Sequence, residues 1–511
     1  MRCVLAFFVL LALPGTAHAE WREASSAHFV VYAKVSDGSL RRFSERLERY
    51  HAAMNFVTNA KLAIPSPSNR VTVYVVSGEA EVRRLYGANS KNIGGFYLPR
   101  AGGSLAIVPQ VEGQSGTELD WSMIALLHEY AHHFLISNSS FALPRWLSEG
   151  QAEFFASASF ERDGSVGLGR PAYHRAGELF HGQDVKASDL LDPEAYEKRR
   201  GKSTSMDAYY GKSWLLFHYL TLGESRPGQM KKYIAALVAG KKSREAGLEA
   251  FGDFAELEKN LDGYLDKSRI KYLKIPPKYL EIDVISTRAL RPGEAAMIPV
   301  IIRSRRGVDS TTAPAVLAEA RAVAVRFPAD AAVQAALAEA ELDAGYTAEA
   351  IAASDAAIAA DPAQVNAYIQ KGYALFRMAE NSKDPAAYKK ARAPFIALNH
   401  RESNHPIPLI FNFLSYLKQG TPPTPLAIQG LERAVELAPF DQGIRMTLAV
   451  QQIRDRQRDK AKHNLEPIAF NPHGGGLATA AQKFLARMES DPAWDGQGAA
   501  ADVEAGKDEE Q

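Results

Sequence analysis

Apolar and polar residues alternate in three distinct ways along the chain. Residues 28–34 (HFVVYAK) and 71–77 (VTVYVVS) are β-branched and aromatic runs bounded by polar residues, which predicts two strands. Between them Phe43, Leu47, Tyr50, Met54 and Val57 recur at helical spacing. Residues 94–110 (GGFYLPRAGGSLAIVPQ) predict two short strands around an Ala-Gly-Gly turn. From 118 to about 270 the period is helical throughout. Pro276 and Pro277 then break the pattern, and YLEIDVIS and AAMIPVIIRS on either side of TRALRPGE read as a hairpin.

Beyond residue 312 the composition turns to alanine-rich helices with a repeat. Pro328, Pro362, Pro406, Pro439 and Pro472 recur at intervals of 34, 44, 33 and 33 residues, the long interval holding the insertion ENSKDPAAY. Gly345 and Tyr346 fall at a turn between paired helices, and Ala350 and Ala357 leave room for close helix crossings. Over residues 313–490 this pattern resembles tetratricopeptide repeats, which stack helix pairs into a surface for peptides or protein segments.

The ends of the chain bear on compartment. Arg2, the apolar run Val4–Leu13 and the small-x-small stretch Ala17-His18-Ala19 have the order of a cleavable signal peptide, with the cut expected after Ala19. An exported chain, periplasmic or secreted, is the expectation, with no transmembrane segment after cleavage. The sole cysteine, Cys3, lies within that segment, so the mature chain has no thiol for disulfides, catalysis or metal binding. Lys plus Arg total 60 and Asp plus Glu 59, a balance that does not point to nucleic acid. These shifts divide the chain into a signal peptide (1–19), an α/β sheet subdomain (20–117), a helical subdomain (118–272), a linker with a β-hairpin (273–312), helical repeats (313–490) and an acidic tail expected to be disordered (491–511).

The densest chemistry lies in LLHEYAHHFL, residues 126–135. His128 and His132 are four apart, so they stack on one helix face and offer two imidazole nitrogens to one ion. Glu129 lies about 100° round the helix from His128, where it can face a water beside that ion. His-Glu-x-x-His arises by chance on the order of 0.02 times per chain of this composition, so chance is a weak explanation. A metzincin would carry glycine and histidine where Leu135 and Asn138 stand, which excludes that class. Downstream, PRWLSEGQAEFF (144–155) begins a new helix on which Glu149 and Glu153 share a face.

His128-Glu129-x-x-His132 followed by Trp146-Leu147-Ser148-Glu149-Gly150 resembles the gluzincin metallopeptidases, the peptidase MA-like group related to aminopeptidase N and thermolysin. The resemblance covers roughly residues 24–270 and implies an α+β catalytic domain, a small sheet layer plus a helical subdomain, ahead of the all-α solenoid. It implies one Zn2+ per chain, held by His128, His132 and Glu149, with Glu153 behind the first histidine and also the substitute ligand should Glu149 not serve. Glu129 becomes the general base. The segment 206–220 (MDAYYGKSWLLFHYL) resembles the tyrosine-bearing helix start of these families, which implies that Tyr210, or failing it Tyr209, donates to the developing oxyanion; Ser213 stands where the family usually has glycine. The spacing from His132 to Glu149, sixteen intervening residues, is shorter than in the aminopeptidases. Gly94–Arg100 lacks the acidic residue with which they bind a free amine. The expected function is therefore zinc-dependent hydrolysis of peptide bonds in exported proteins or peptides, endopeptidase rather than aminopeptidase, with the repeats docking substrate or a protein partner. The alternative is a non-catalytic periplasmic scaffold carrying a relic peptidase fold. His133 and His218 read as packing residues, and His174 as a loop residue over the cleft that could contact substrate.

Overall fold

The computed structural model describes residues 20–60, 63–87, 93–109, 119–139, 141–201, 205–382, 384–471, 474–499 and 502–503. The signal-peptide expectation lies outside them, as do Pro472 and, in the tail, residues 500, 501 and 504–511.

Six strands form the first sheet: β1 (Arg22–Ser25), β2 (Phe29–Ala33), β3 (Val71–Val76), β4 (Phe96–Leu98), β5 (Leu105–Pro109) and β9 (Ser286–Ala289), in the order β4-β5-β3-β2-β1-β9. β2, β3 and β5 run parallel, which buries both faces and explains why β3 and β5 are apolar at nearly every position. One face packs on α1 (Asp37–Thr58) through Leu40, Leu47, Tyr50 and Met54. The other face, including Tyr74 and Ile107, meets α2 (Glu79–Tyr86) and α12 (Pro292–Arg306). β4 and β5 are the hairpin around the Ala-Gly-Gly turn, and β4 is the sheet edge.

The helical part begins with α3 (Trp121–Asn138), capped by the Asp120 carboxylate accepting from the Met123 N–H at 2.7 Å. It continues through α4 (Arg145–Ala156), strands β6 (Ser159–Phe160) and β7 (Val166–Leu168), then α5 (Ala176–His181), α6 (Ala187–Leu191), α7 (Pro193–Arg200), α8 (Tyr209–Leu222), α9 (Gln229–Val238), α10 (Ser243–Phe251) and α11 (Phe254–Leu265). A second sheet joins β6 and β7 to β8 (Leu273–Ile275). α3 and α4 share one core with β2, β3 and α1, so the rigid centre of the domain holds both site helices.

The linker departs from the hairpin expected there. Ser286–Ala289 is a strand, but it pairs with β1 near the start of the chain, and residues 292–306 are helical. Pro292 sits at the helix start and Glu294 accepts from the Arg291 N–H at 2.8 Å, while Met297, Ile298, Val300 and Ile302 are buried between the sheet and the helices that follow. Burial on two sides makes the run apolar without a helical stripe, and that reads as a strand.

α12 opens an array of paired helices. It continues with α13 (Ala313–Arg326), α14 (Ala331–Asp343), α15 (Thr347–Ala360), α16 (Val365–Ser382), α17 (Ala387–Ala391), α18 (Ala393–Arg401), α19 (Pro406–Lys418), α20 (Pro425–Leu437), α21 (Gln442–Arg454), α22 (Arg458–Ala469) and α23 (Gly476–Ser490). Pro328, Pro362 and Pro439 lie in inter-pair turns and Pro406 starts α19; Gly345, with φ of 89°, makes the turn from α14 to α15. Ala350 and Ala357 are fully buried at the crossings. The tail is ordered for part of its length: Trp494 is buried against Phe484, ring centroids 5.5 Å apart, and its indole N–H donates to the Gln497 carbonyl at 3.0 Å. An aromatic ring within an otherwise small and acidic stretch supplies that anchor. No helix among the described residues is long and apolar enough to cross a membrane.

Candidate metal centre

Two helices build the site. His128 and His132 stand one turn apart on α3, and Glu149 enters from α4, where Gly150 allows the close approach of α8; a Cβ at Gly150 would lie 2.5 Å from the Ser213 carbonyl oxygen. All three side chains are buried, Glu149 completely. The Nε2 atoms of His128 and His132 are 3.1 Å apart, and Glu149 Oε2 is 3.4 Å from the first and 3.3 Å from the second. These separations match the edge of a tetrahedron of ligands about 2.0–2.1 Å from a central ion, roughly 3.3 Å. Neither Glu149 oxygen has a hydrogen-bond partner. A fully buried carboxylate without a donor is costly unless a cation is there, so the residues fit a metal ion. Among the described residues this is the one cluster of three or more His, Cys, Asp or Glu side chains converging on a point.

The electrostatics have the same demand. Burial disfavours charge on His128, but the carboxylates of Glu153 and Glu149 outweigh it and push the imidazole up to about 10. Burial likewise raises Glu149, and the His132 and His128 imidazoles overcome it and hold the carboxyl well below its usual range. Without a metal the site draws in a proton to supply positive charge; a ligating histidine must be neutral, so metal and proton compete.

Glu153, one turn beyond Glu149, is fully buried, with Oε1 3.1 Å from His128 Nδ1, close but not lined up as a hydrogen bond. Glu153 also accepts from Arg175 and sits 2.7 Å from His174 Nε2. His174 therefore backs the carboxylate behind His128, which ties it to the site's support. His132 Nδ1 is 3.3 Å from Ser148 Oγ.

Glu129 is on the same turn of α3, half-buried, and its charge bears on Tyr97 of β4. Tyr210 opens α8 with its ring centroid 6.4 Å from that of His128 and the Arg175 guanidinium 4.9 Å over its face. Burial and then the Glu149 charge raise its phenol above the ordinary value, so it is a hydrogen-bond donor at neutral pH. Tyr209 turns instead into the core against Tyr196, centroids 4.8 Å apart. Arg145 lies 4.5 Å over the Tyr209 ring, and its charge opposes the rise of the Tyr210 phenol. His133 points away from the metal-ligand cluster, 2.6 Å from the Tyr97 hydroxyl, and His218 is held by the Gly169 carbonyl and the Tyr264 hydroxyl, each at 2.9 Å.

Arg145, Ser148 and Arg175 were not singled out by sequence. Arg145 is four residues before Glu149 on the same helix face, a signal that was there to read; Arg175 comes from a loop, where no period announces it.

A family model described as "Protein of unknown function (DUF1570)" matches residues 123–239, the stretch from α3 to the end of α9. No curated protein matches the chain. Among solved structures, the chain is similar to a MamA RS-1 ArsTM double mutant (16% identity, 40% of this chain and 100% of that one, TM-score 0.27). It is similar also to MamA 41-end from Desulfovibrio magneticus RS-1 (16% identity, 34% and 93%, TM-score 0.26) and to yeast Tom70 (13% identity, 71% of each chain, TM-score 0.26). At these TM-scores none of the three describes how this chain is arranged.

Proposed function

We propose that the chain is a zinc-dependent metallopeptidase that cleaves peptide bonds in exported proteins or peptides, in the periplasm or outside the cell, as an endopeptidase. The observation that carries this reading is the convergence of His128 Nε2, His132 Nε2 and Glu149 Oε2 within 3.1–3.4 Å of one another around a carboxylate with no other partner. Zinc bound there would supply Lewis acidity and lower the pKa of water to near neutrality. The chain's residues account for the proton traffic. Glu129 accepts a proton from the attacking water and returns it to the leaving amine. Tyr210 donates its hydroxyl hydrogen to the carbonyl oxygen as negative charge develops, while the Arg175 guanidinium over its ring holds the phenol in place. β4, the sheet edge beside α3, offers backbone for an extended substrate, a mode that selects little by side chain.

The test is metal content of the purified chain together with cleavage of an unstructured protein such as casein. One zinc per chain, lost in His128→Ala along with cleavage, is the expected result; a chain that binds no zinc would overturn the reading.

A second reading, a non-catalytic scaffold that docks a partner protein, draws on the helical array, which runs from α12 to α23. It predicts partner binding that is indifferent to Glu129→Gln and to chelators.

A further inference from the structure

Three helices of the array, α12, α19 and α21, present residues to one object. That object is the turn of the β4–β5 hairpin, Pro99–Gly102. Arg100 donates to the Arg305 carbonyl and, at 3.4 Å, to the Arg306 carbonyl at the end of α12, and it feels the charge of Glu339 on α14 and the phenol of Tyr373 on α16. The Ala101 N–H donates to Asp441 Oδ2 at the start of α21 at 2.9 Å, and the Ala101 methyl joins the apolar cluster of α19, α20 and α21. A Cβ on Gly102 would stand 2.9 Å from the His405 ring and 3.0 Å from Ile407 at the start of α19, so only glycine lets the turn seat this deeply. Gly102 also has φ of 77°.

A second layer of contacts locks the seat from the flank. Asn69 accepts from the Gly102 N–H at 3.1 Å and donates to the Leu437 carbonyl at 2.6 Å. Ser68 donates backbone and side chain to Glu402 at 2.9 and 2.8 Å. On the other side Phe440, in the turn before α21, lies 4.3 Å from the His133 ring, which in turn holds Tyr97 of β4.

We propose that the inner face of the helical array is a receptor whose ligand is this chain's own turn, Pro99–Gly102, so that the array holds edge strand β4 against the helix bearing His128 and His132. The recognition is chemical and specific: the Arg305 and Arg306 carbonyls take an arginine, the Asp441 carboxylate takes the N–H of the next residue, and only a glycine fits after that. A protein partner that uses the same face must present an arginine followed by small residues, and must displace the turn. This proposal stands on the fold alone, independent of whether the metal centre is a peptidase.

The experiment uses the full chain carrying Arg100→Glu, which removes the donor to the Arg305 and Arg306 carbonyls and sets carboxylate oxygens against them. Arg100 is exposed and outside every apolar cluster, so the variant is expected to fold, as circular dichroism would show. Hydrogen exchange of residues 97–104 should quicken by about tenfold or more while β3 stays as protected as before, and Arg100→Lys should restore most of the protection. A labelled synthetic peptide of residues 97–104 should bind Arg100→Glu and bind the wild-type chain about tenfold more weakly, because the wild-type face is already filled. Exchange within about twofold of wild type in folded Arg100→Glu would overturn the proposal. So would equal peptide affinity for the two proteins, or no binding to the variant. Zinc content plays no part in either readout, so failure here and failure of the metallopeptidase reading are told apart.

Discussion

Glu149 shows at the scale of one residue why the cluster fits a metal ion. Its two oxygens are buried and have no hydrogen-bond partner, although the Arg145 guanidinium is one turn away on the same helix; it donates to Glu197 instead, at 3.3 Å. Replacing Glu129 by Gln removes a base without touching a ligand, so zinc should remain at one per chain while cleavage falls by about 10²–10⁴-fold. Metal analysis and a fluorogenic casein assay on the same preparation check both halves. Glu153→Gln acts differently. It takes the negative charge from behind His128, weakens the imidazole as a donor and should lower zinc affinity by about 10–100-fold in a chelator competition. Helical period put His128 and His132 on one face and Glu149 and Glu153 on one face, while the pairing of those two faces came only from the family resemblance. His174 was not legible, since a loop residue's partner depends on where the loop lies in three dimensions.

Elements are held in register by close approaches, and the one that matters most is α4 on α8. Gly150 faces the Ser213 carbonyl oxygen and the Phe217 Cβ, where a methyl group would sit at 2.5 and 3.0 Å; a backbone oxygen cannot swing aside, so α4 must shift. Gly150→Ala should therefore cost about 1–3 kcal/mol in thermal or urea unfolding, and the shift should also reach Glu149 next door and loosen zinc. Unchanged stability with unchanged zinc affinity would mean that the helices part more easily than their packing implies. At this scale the chain was legible where a period or a turn residue is plain: α1, α3, the β4–β5 hairpin and the inter-pair prolines all follow from period and turn residues. It was not legible in α12, where burial against sheet and array together erases the stripe, nor in β9, whose partner β1 lies more than 260 residues away. Trp494 likewise drew part of an acidic tail into the last helix pair.

On the scale of the molecule, sheet and array meet at a junction with a built-in acid sensitivity. His405 is completely buried where the hairpin turn enters, its Nδ1 accepting from the Ile407 N–H at 3.2 Å as the cap of α19, with Nε2 unpartnered. Burial, opposed by the Glu402 charge, takes this imidazole down to about 4. The ordinary value is about 6.5, so between the two the unfolded chain binds a proton that the folded chain refuses. Stability is then fully present above about pH 6.5 and is lost as the pH falls toward 4, by up to about 3 kcal/mol for this residue. His51 adds to the same slope: burial, then the nearby His28, takes it down to about 3, against the raising effect of Glu48, between Tyr130 at 2.6 Å and Asn55 at 2.9 Å. His405→Asn keeps a capping oxygen but cannot titrate, so its melting temperature should fall less between pH 7 and about 4.5 than that of the wild-type chain. Parallel slopes for the two proteins would show that the junction does not carry the acid sensitivity. A shallower slope in the variant, with hydrogen exchange at 97–104 rising at low pH in the wild type alone, would place the first acid-induced opening at the seat of the hairpin, beside α3.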